Sequence, residues 1–91
     1  MKLLFFHAVW CPPCKNAQKN VINPLKEKYS DLITEIDVDA DWQTPKKYGV
    51  CQVPTVIILE KENEVYRKVG IPVLAELEAI LNDSHSGGPN N

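Results

Sequence analysis

The sequence predicts an α/β domain in which one mixed sheet carries helices on its faces. Two kinds of pattern lead to this fold class: short apolar runs of strand length, and apolar stripes at helical spacing between them. A Cys-x-x-Cys pair stands where the first run meets the first stripe. The resulting order is strand, helix, strand, short helix, hairpin and helix, which is typical of a sheet covered by helices.

The composition indicates one globular domain. The chain has 91 residues, of which 44% are hydrophobic and 24% charged, with a net charge of −2. Its Lys and Arg residues are scattered and form no basic run, so no nucleic acid and no acidic membrane is expected as a partner. Proteins or small thiols are the expected partners, and we expect a monomer.

The cysteine content favours a reducing compartment. There are three cysteines, an odd number, and two of them share one short motif. A secreted domain stapled by disulfides carries paired and dispersed cysteines. The apolar run near the N-terminus is too short for a signal peptide or an anchor. We therefore expect a cytoplasmic location.

The first half of the chain predicts a strand, a long helix and a second strand. Residues 2–7 are a buried central strand, because their apolar run is short and does not alternate. Residues from Cys14 to Tyr29 repeat apolar side chains every three or four positions, so an amphipathic helix of about 18 residues is expected. Pro24 lies inside it and predicts a kink or break near residues 22–23. Residues 32–38 are the second strand, parallel to the first.

The second half predicts a short helix, a hairpin and a last helix. Residues 44–48 form the short helix, which Gly49 stops. Residues 53–59 carry the strongest strand signal, and a polar turn joins them to an edge strand at 65–69. Residues 73–81 form the last amphipathic helix. Residues 83–91 are expected to be a disordered tail.

Several segments together resemble the thioredoxin family. They are residues 6–15, 36–39, 47–50, 53–55 and 64–70, in the family's order and spacing. The resemblance spans nearly residues 2–82 and implies a thioredoxin-like domain over 1–82 with a four-stranded sheet in the order 32–38, 2–7, 53–59, 64–69. The first strand and helix usual in thioredoxins have no counterpart here, so the fold is expected to be a trimmed version with three helices.

The paired cysteines predict thiol-disulfide exchange. A thiolate attacks a disulfide, and Cys11 precedes a helix whose N-terminal partial charge favours the thiolate. Cys14, one turn further, resolves the mixed disulfide that Cys11 forms. Two prolines between them lack N–H groups, so we expect Cys11 to be only a moderately acidic thiol. The alternatives are two small core residues or half of a zinc site, although a zinc site needs four ligands.

The resemblance also implies a substrate groove. Pro54 corresponds to the proline that is cis in thioredoxins and that faces the cysteines. Val53 would then pair its backbone with an extended substrate segment. Trp10 and Gln52 would flank this groove.

The sequence departs from the family at the position of a buried aspartate that assists proton movement at the resolving thiol. Phe5 occupies that position, and Glu35 stands where its lysine partner would be. We therefore hypothesise that Glu35 replaces the proton shuttle. The alternative is a solvent-facing glutamate on an edge strand.

Two further residues near the motif have open roles. Cys51 lies three residues before Pro54 and is a candidate regulatory thiol, a site of mixed-disulfide formation or a third metal ligand; the alternative is a thiol that is merely tolerated. His7 is interpreted as a side chain packed at the strand end rather than as a general base.

The expected function is that of a thiol-disulfide oxidoreductase that reduces protein disulfides. Since no Gly-x-Gly-x-x-Gly stretch exists, no flavin or nicotinamide cofactor is expected, and no metal. Electrons would arrive from a thioredoxin-reductase-like flavoenzyme or from small thiols. A disulfide oxidant or isomerase is one alternative. The other is a redox-dependent protein-binding module without turnover.

Overall fold

The computed structural model describes residues 1–86 and shows a four-stranded mixed sheet. The strands are β1 (Lys2–His7), β2 (Ile33–Asp37), β3 (Thr55–Glu60) and β4 (Asn63–Val69). Their spatial order is β2-β1-β3-β4, which confirms the predicted order. β1 pairs parallel with β2 and antiparallel with β3, and β4 is antiparallel to β3.

Three helical segments cover the sheet. Residues 12–29 form one continuous segment made of α1 (Pro12–Ala17), a π-helical turn (Gln18–Ile22) and α2 (Asn23–Tyr29), and a 3-10 turn (Ser30–Leu32) follows it. The other two are α3 (Gln43–Lys47) and α4 (Leu74–Ser86). The irregularity predicted from Pro24 is present, but it is a π-helical turn that precedes the proline by one turn. Pro24 itself stands at the start of α2, where its missing N–H costs least.

Several predicted boundaries shift by one or two residues, and one shifts by more. Val53 and Pro54 precede β3, which begins at Thr55. They lie in a turn in which the Thr55 hydroxyl donates a hydrogen bond of 2.7 Å to the Gln52 carbonyl. α4 runs to Ser86, so residues 83–86, which were expected to belong to the tail, are helical. The remainder of the predicted tail, 87–91, lies outside the described residues.

Alternation along β1 divides the core into two layers. Leu3 and Phe5 face the helical segment 12–29 and α4, in a cluster that includes Leu25 and Leu77. Leu4 and Phe6 face the opposite side with Ile36, Ile57 and Leu59, where Tyr48 also packs. The sheet is therefore covered on both faces, as the unalternating run of β1 predicts.

The two layers place the dithiol at the end of β1. β1 ends at His7, and the chain then turns through residues 8–11 into α1. Gly49, with φ of 67°, ends α3 and directs residues 50–54 back toward this same end of the sheet. Two segments distant in sequence thereby meet at Cys11.

Candidate active site

Cys11 is the N-cap of α1 and is joined to Cys14. It has extended backbone angles (φ −107°, ψ 103°), and Pro12 and Pro13 occupy the first helical positions. Prolines suit these positions because the N–H groups there have no partner within the helix. The Cα atoms of the two cysteines are 5.2 Å apart, within the range of a disulfide, and the structure contains that disulfide.

Both cysteines lie in a small apolar cluster. Cys11 is 4% exposed and Cys14 is 2% exposed, and they pack with Ala8 and the half-buried Val38 and Val53. Sγ of Cys11 accepts a hydrogen bond of 3.2 Å from the amide of Cys14. This amide is the first N–H after the two prolines, so the loop supplies one backbone donor to the sulfur despite them.

The cis-proline segment faces Cys11. The Val53–Pro54 peptide bond is cis, as the resemblance implies, and the carbonyl oxygen of Val53 lies 3.8 Å from Sγ of Cys11. The Pro54 carbonyl accepts a bond of 2.8 Å from the amide of Gly70, which fastens the segment to the end of β4. The structure thus brings Val53 and Pro54 to the dithiol.

An open cleft of about 410 Å³ lies beside this segment. Seven residues line it: Trp10, Val38, Pro45, Val50, Cys51, Gln52 and Val53. Trp10 is 64% exposed and Gln52 is also exposed, so both are free to contact a bound molecule. Three of the four residues predicted for the groove, Trp10, Gln52 and Val53, therefore line one cleft.

Asp39 holds the indole of Trp10, a contact that the sequence reasoning missed. Nε1 of Trp10 donates a hydrogen bond of 2.8 Å to Oδ2 of Asp39. The amide of Asp39 in turn donates to Oδ1 of Asp37 at 2.9 Å. Asp37 and Asp39 therefore lie in a turn at the end of β2, and Asp39 orients the exposed Trp10 side chain.

Glu35 faces the helical segment rather than open solvent. In the β1–β2 register it stands opposite Phe5, on the sheet face covered by residues 12–29. Its carboxylate accepts hydrogen bonds of 2.5 Å from Nε2 of Gln18 and from Nζ of Lys26. The same Gln18 amide group also donates to Oδ1 of Asn23 at 3.2 Å. Glu35 therefore belongs to a polar network on the helix that carries Cys14.

The surroundings of Glu35 favour its charged form. Burial alone would raise the pKa of Glu35, but the hydrogen bonds from Lys26 and Gln18, with the charges of Lys26 and His7, outweigh it. The net effect is a pKa below the ordinary value. Gln18 and Lys26 were not among the site residues predicted from the sequence.

Cys51 is an exposed thiol at the rim of the cleft. Its Sγ lies 3.9 Å from the carbonyl oxygen of Gly49, and its side chain lines the same cleft as Trp10. Across residues 1–83, whose side chains the structure describes, no group of three or more His, Cys, Asp or Glu side chains is arranged to hold a metal ion. Over the same residues, no helix combines the length and apolar character needed to cross a bilayer.

Comparisons with known proteins agree with this geometry. The thioredoxin family model matches residues 1–83. The thioredoxin of Bacillus subtilis is 35% identical over 79 residues, which cover 85% of this chain and 75% of that protein. The thioredoxin of Alicyclobacillus acidocaldarius is 30% identical over 83 residues, covering 89% and 78%.

Solved structures show the same fold. Thioredoxin 1 of Thermosipho africanus is similar with a TM-score of 0.76 and 31% identity, covering 94% of this chain and 100% of that one. A thioredoxin of Nicotiana alata gives a TM-score of 0.76 and 35% identity, covering 89% and 70%. With its joined Cys11 and Cys14 at the start of α1, this chain belongs to the thioredoxin family and is a thiol-disulfide oxidoreductase.

Proposed function

We propose that this protein reduces disulfides in other proteins through the Cys11/Cys14 dithiol. The observation that supports this most is the position of Cys11, which lies at a helix N-terminus and against the carbonyl of Val53, a residue that lines an open cleft. In the first step the Cys11 thiolate attacks a substrate disulfide, and one substrate sulfur leaves as a thiolate. A mixed disulfide joins Cys11 to the other sulfur.

Cys14 completes the reaction. Its thiolate attacks Sγ of Cys11, the bond from Cys11 to the substrate breaks, and the second substrate sulfur leaves. The substrate gains two electrons and two protons, and the protein loses them as it closes the Cys11–Cys14 disulfide. The short separation of the two cysteines makes this step intramolecular and therefore faster than attack on the mixed disulfide by an external thiol.

Substrate binding belongs to the cleft. An extended substrate segment would pair with the backbone of Val53 beside Pro54, while Trp10 and Gln52 contact its flanks. Main-chain pairing requires little side-chain specificity, so several disulfide-containing proteins are expected as substrates. The Trp10 indole is held in place by Asp39, which reduces the entropy lost on binding.

Recycling requires an external reductant. We expect a thioredoxin-reductase-like flavoenzyme or small thiols to return two electrons to the disulfide, with the protein acting as a cytoplasmic monomer.

The role of Glu35 is refined within this proposal. Because its ion pair with Lys26 favours the carboxylate, it serves as a fixed negative charge beside the site better than as a proton carrier.

Cys51 is proposed as a regulatory thiol. It lines the cleft that receives the substrate, so a group attached to its sulfur would compete for that space. The dithiol itself would remain intact. This mode of inhibition predicts weaker substrate binding and an unchanged reaction with small disulfides.

Turnover and redox potential test the proposal together. The protein should accelerate the reduction of insulin disulfides by dithiothreitol, and Cys11→Ser should abolish this activity. Cys14→Ser should instead accumulate a stable mixed disulfide, visible as a mass increase that dithiothreitol removes. No turnover with retained partner binding would indicate a binding module.

Equilibration with glutathione buffers should give a redox potential of about −270 mV, and a value above about −180 mV would indicate an oxidant or isomerase.

A further inference from the structure

His7 stands on the same face of the sheet as the helix that carries Cys14. Alternation along β1 places Leu3, Phe5 and His7 on one side, and Leu3 and Phe5 belong to the core beneath the helices. The His7 ring stacks on Phe5, with centroids 5.3 Å apart and planes inclined by 14°. The packing expected at the strand end is therefore present, and it directs the imidazole toward the helical segment.

His7 and Cys14 line a second cleft, which has a volume of about 410 Å³ and shares no lining residue with the cleft that Trp10 lines. Eight residues line it: His7, Ala8, Val9, Cys14, Lys15, Gln18, Lys19 and Asn23. Lys15, Lys19 and Asn23 are exposed, so solvent reaches the cleft. It gives the otherwise buried Cys14 a route to a proton acceptor.

Two charged side chains line this cleft, and others stand on the elements that neighbour His7. Lys15 and Lys19 stand on the helical side. On β2, Asp37 is the register partner of His7, and Glu35 lies close enough for its charge to interact with that of His7. Lys26, from α2, is bound to Glu35. The residue of β3 nearest this end of β1, Thr55, is uncharged and pairs with Phe6.

We propose that His7 accepts the proton of the Cys14 thiol during resolution of the mixed disulfide, directly or through solvent in the shared cleft. The inference deepens the proposed function and rests on it. It explains how a chain with the apolar Phe5 buried in its core, and with the Glu35 carboxylate engaged by Lys26, activates a buried thiol. An imidazole exchanges protons in the neutral range, which matches a thiol better than a paired carboxylate does.

The step balances as follows. The imidazole nitrogen takes the proton of Cys14, giving an imidazolium and a thiolate. The thiolate attacks Sγ of Cys11, a bond forms between the two cysteines, and the bond from Cys11 to the substrate breaks with both electrons going to the substrate sulfur. The imidazolium returns its proton to that sulfur or to solvent. The negative Glu35 carboxylate favours the imidazolium while it exists.

A two-phase reaction with an aromatic disulfide separates this step from the first. The reduced protein is mixed rapidly with a disulfide that releases a coloured thiolate, in a Cys51→Ser background so that the exposed thiol does not contribute. The fast release of one equivalent reports attack by Cys11. The second equivalent, released as the internal disulfide closes, reports attack by Cys14, and Cys14→Ser should abolish the resolution phase.

His7→Phe keeps the ring that stacks on Phe5 but removes the proton acceptor. We expect the resolution phase to slow about tenfold or more and to lose its rise with pH through the neutral range, while the attack phase keeps its rate. His7→Asn should behave alike. Unchanged resolution in both variants, or equal slowing of both phases, would overturn the role of His7. Loss of the attack phase in the Cys51→Ser parent would instead overturn the proposed function itself.

Discussion

Nζ of Lys26 lies 2.5 Å from Oε2 of Glu35, and this ion pair ties α2 to β2 on the sheet face that the helical segment 12–29 covers. Among the strands that the structure describes, β2 pairs only with β1, so few other contacts fix its outer side. The pair is partly open to water, since the Lys26 side chain is 41% exposed and that of Glu35 is 24% exposed. Its contribution to stability is therefore small, and its larger effect is on the charge near the site.

Replacing Glu35 should make the stability of the protein less sensitive to acid. The folded state lowers the pKa of Glu35, so the pair stabilises the fold above the unfolded value near 4.5 and loses this effect as pH falls through the lower folded pKa. At neutral pH, Glu35→Gln should cost less than about 1 kcal/mol. Urea titrations across this pH range should show that the difference in the free energy of unfolding between wild type and Glu35→Gln shrinks below pH 4.5.

The matched control is Glu62→Gln, the same chemical change at an exposed residue of the hairpin turn. It should leave the free energy of unfolding nearly unchanged at every pH. A constant difference between wild type and Glu35→Gln down to strong acid would show that the pair does not act through ionisation of Glu35.

The charge of Glu35 should also affect the resolution step. Without it the protonated imidazole of His7 loses a favourable interaction, and Lys26 is left as an unpaired positive charge nearby. The midpoint of the pH profile for the resolution phase should therefore move to lower pH in Glu35→Gln. An unmoved profile in the two-phase assay would remove Glu35 from the reaction.

Releasing the Trp10 indole should weaken substrate binding. Asp39→Ala removes the acceptor of the 2.8 Å bond, so the exposed ring must be ordered when the substrate binds. KM for insulin should rise about threefold to tenfold, with little change in kcat. The reaction with the small aromatic disulfide should keep its rate. Asp41→Ala, which removes the carboxylate that accepts hydrogen bonds from the amide and hydroxyl of Thr44, serves as the control and should leave KM for insulin unchanged.

Modification of Cys51 should inhibit by blocking the cleft. In the disulfide form Cys51 is the one free thiol of the three cysteines, so an alkylating reagent marks it alone. After reduction, the alkylated protein should show a raised KM for insulin and a normal attack phase with the aromatic disulfide. Cys51→Ser treated in the same way should be unaffected. Equal KM values for alkylated and untreated wild type would exclude regulation at this position.

Truncating a side chain should destabilise the protein far more on the central strand β3 than on the edge strand β4. Val56 on β3 is 0% exposed and Val65 on β4 is 49% exposed, so the same Val→Ala change samples two environments. Val56→Ala should lower the free energy of unfolding by about 2 kcal/mol, because it removes buried methyl groups and leaves a cavity. Val65→Ala should cost less than about half of that. Equal losses in urea denaturation would contradict the assigned core.

Local patterns were sufficient for the elements and the dithiol. Strand and helix periods place β1, β3 and α4 within a few residues, since side-chain alternation depends only on neighbours in the chain. Cys11 and Cys14 are likewise recognisable from their spacing and from the helix that follows. The groove around Pro54 required the family resemblance, because residues 52–54 lie some forty positions from the motif.

The sequence by itself determined that a cysteine pair begins a helix after a buried strand, and thereby the class of chemistry. Only the tertiary structure decided which groups surround that pair. Gln18, in the π-helical turn, donates a hydrogen bond to Glu35, and the β1–β2 register places Glu35 opposite Phe5. His7 and Cys14 line one cleft. These contacts depend on how separate elements pack, so local sequence patterns do not predict them.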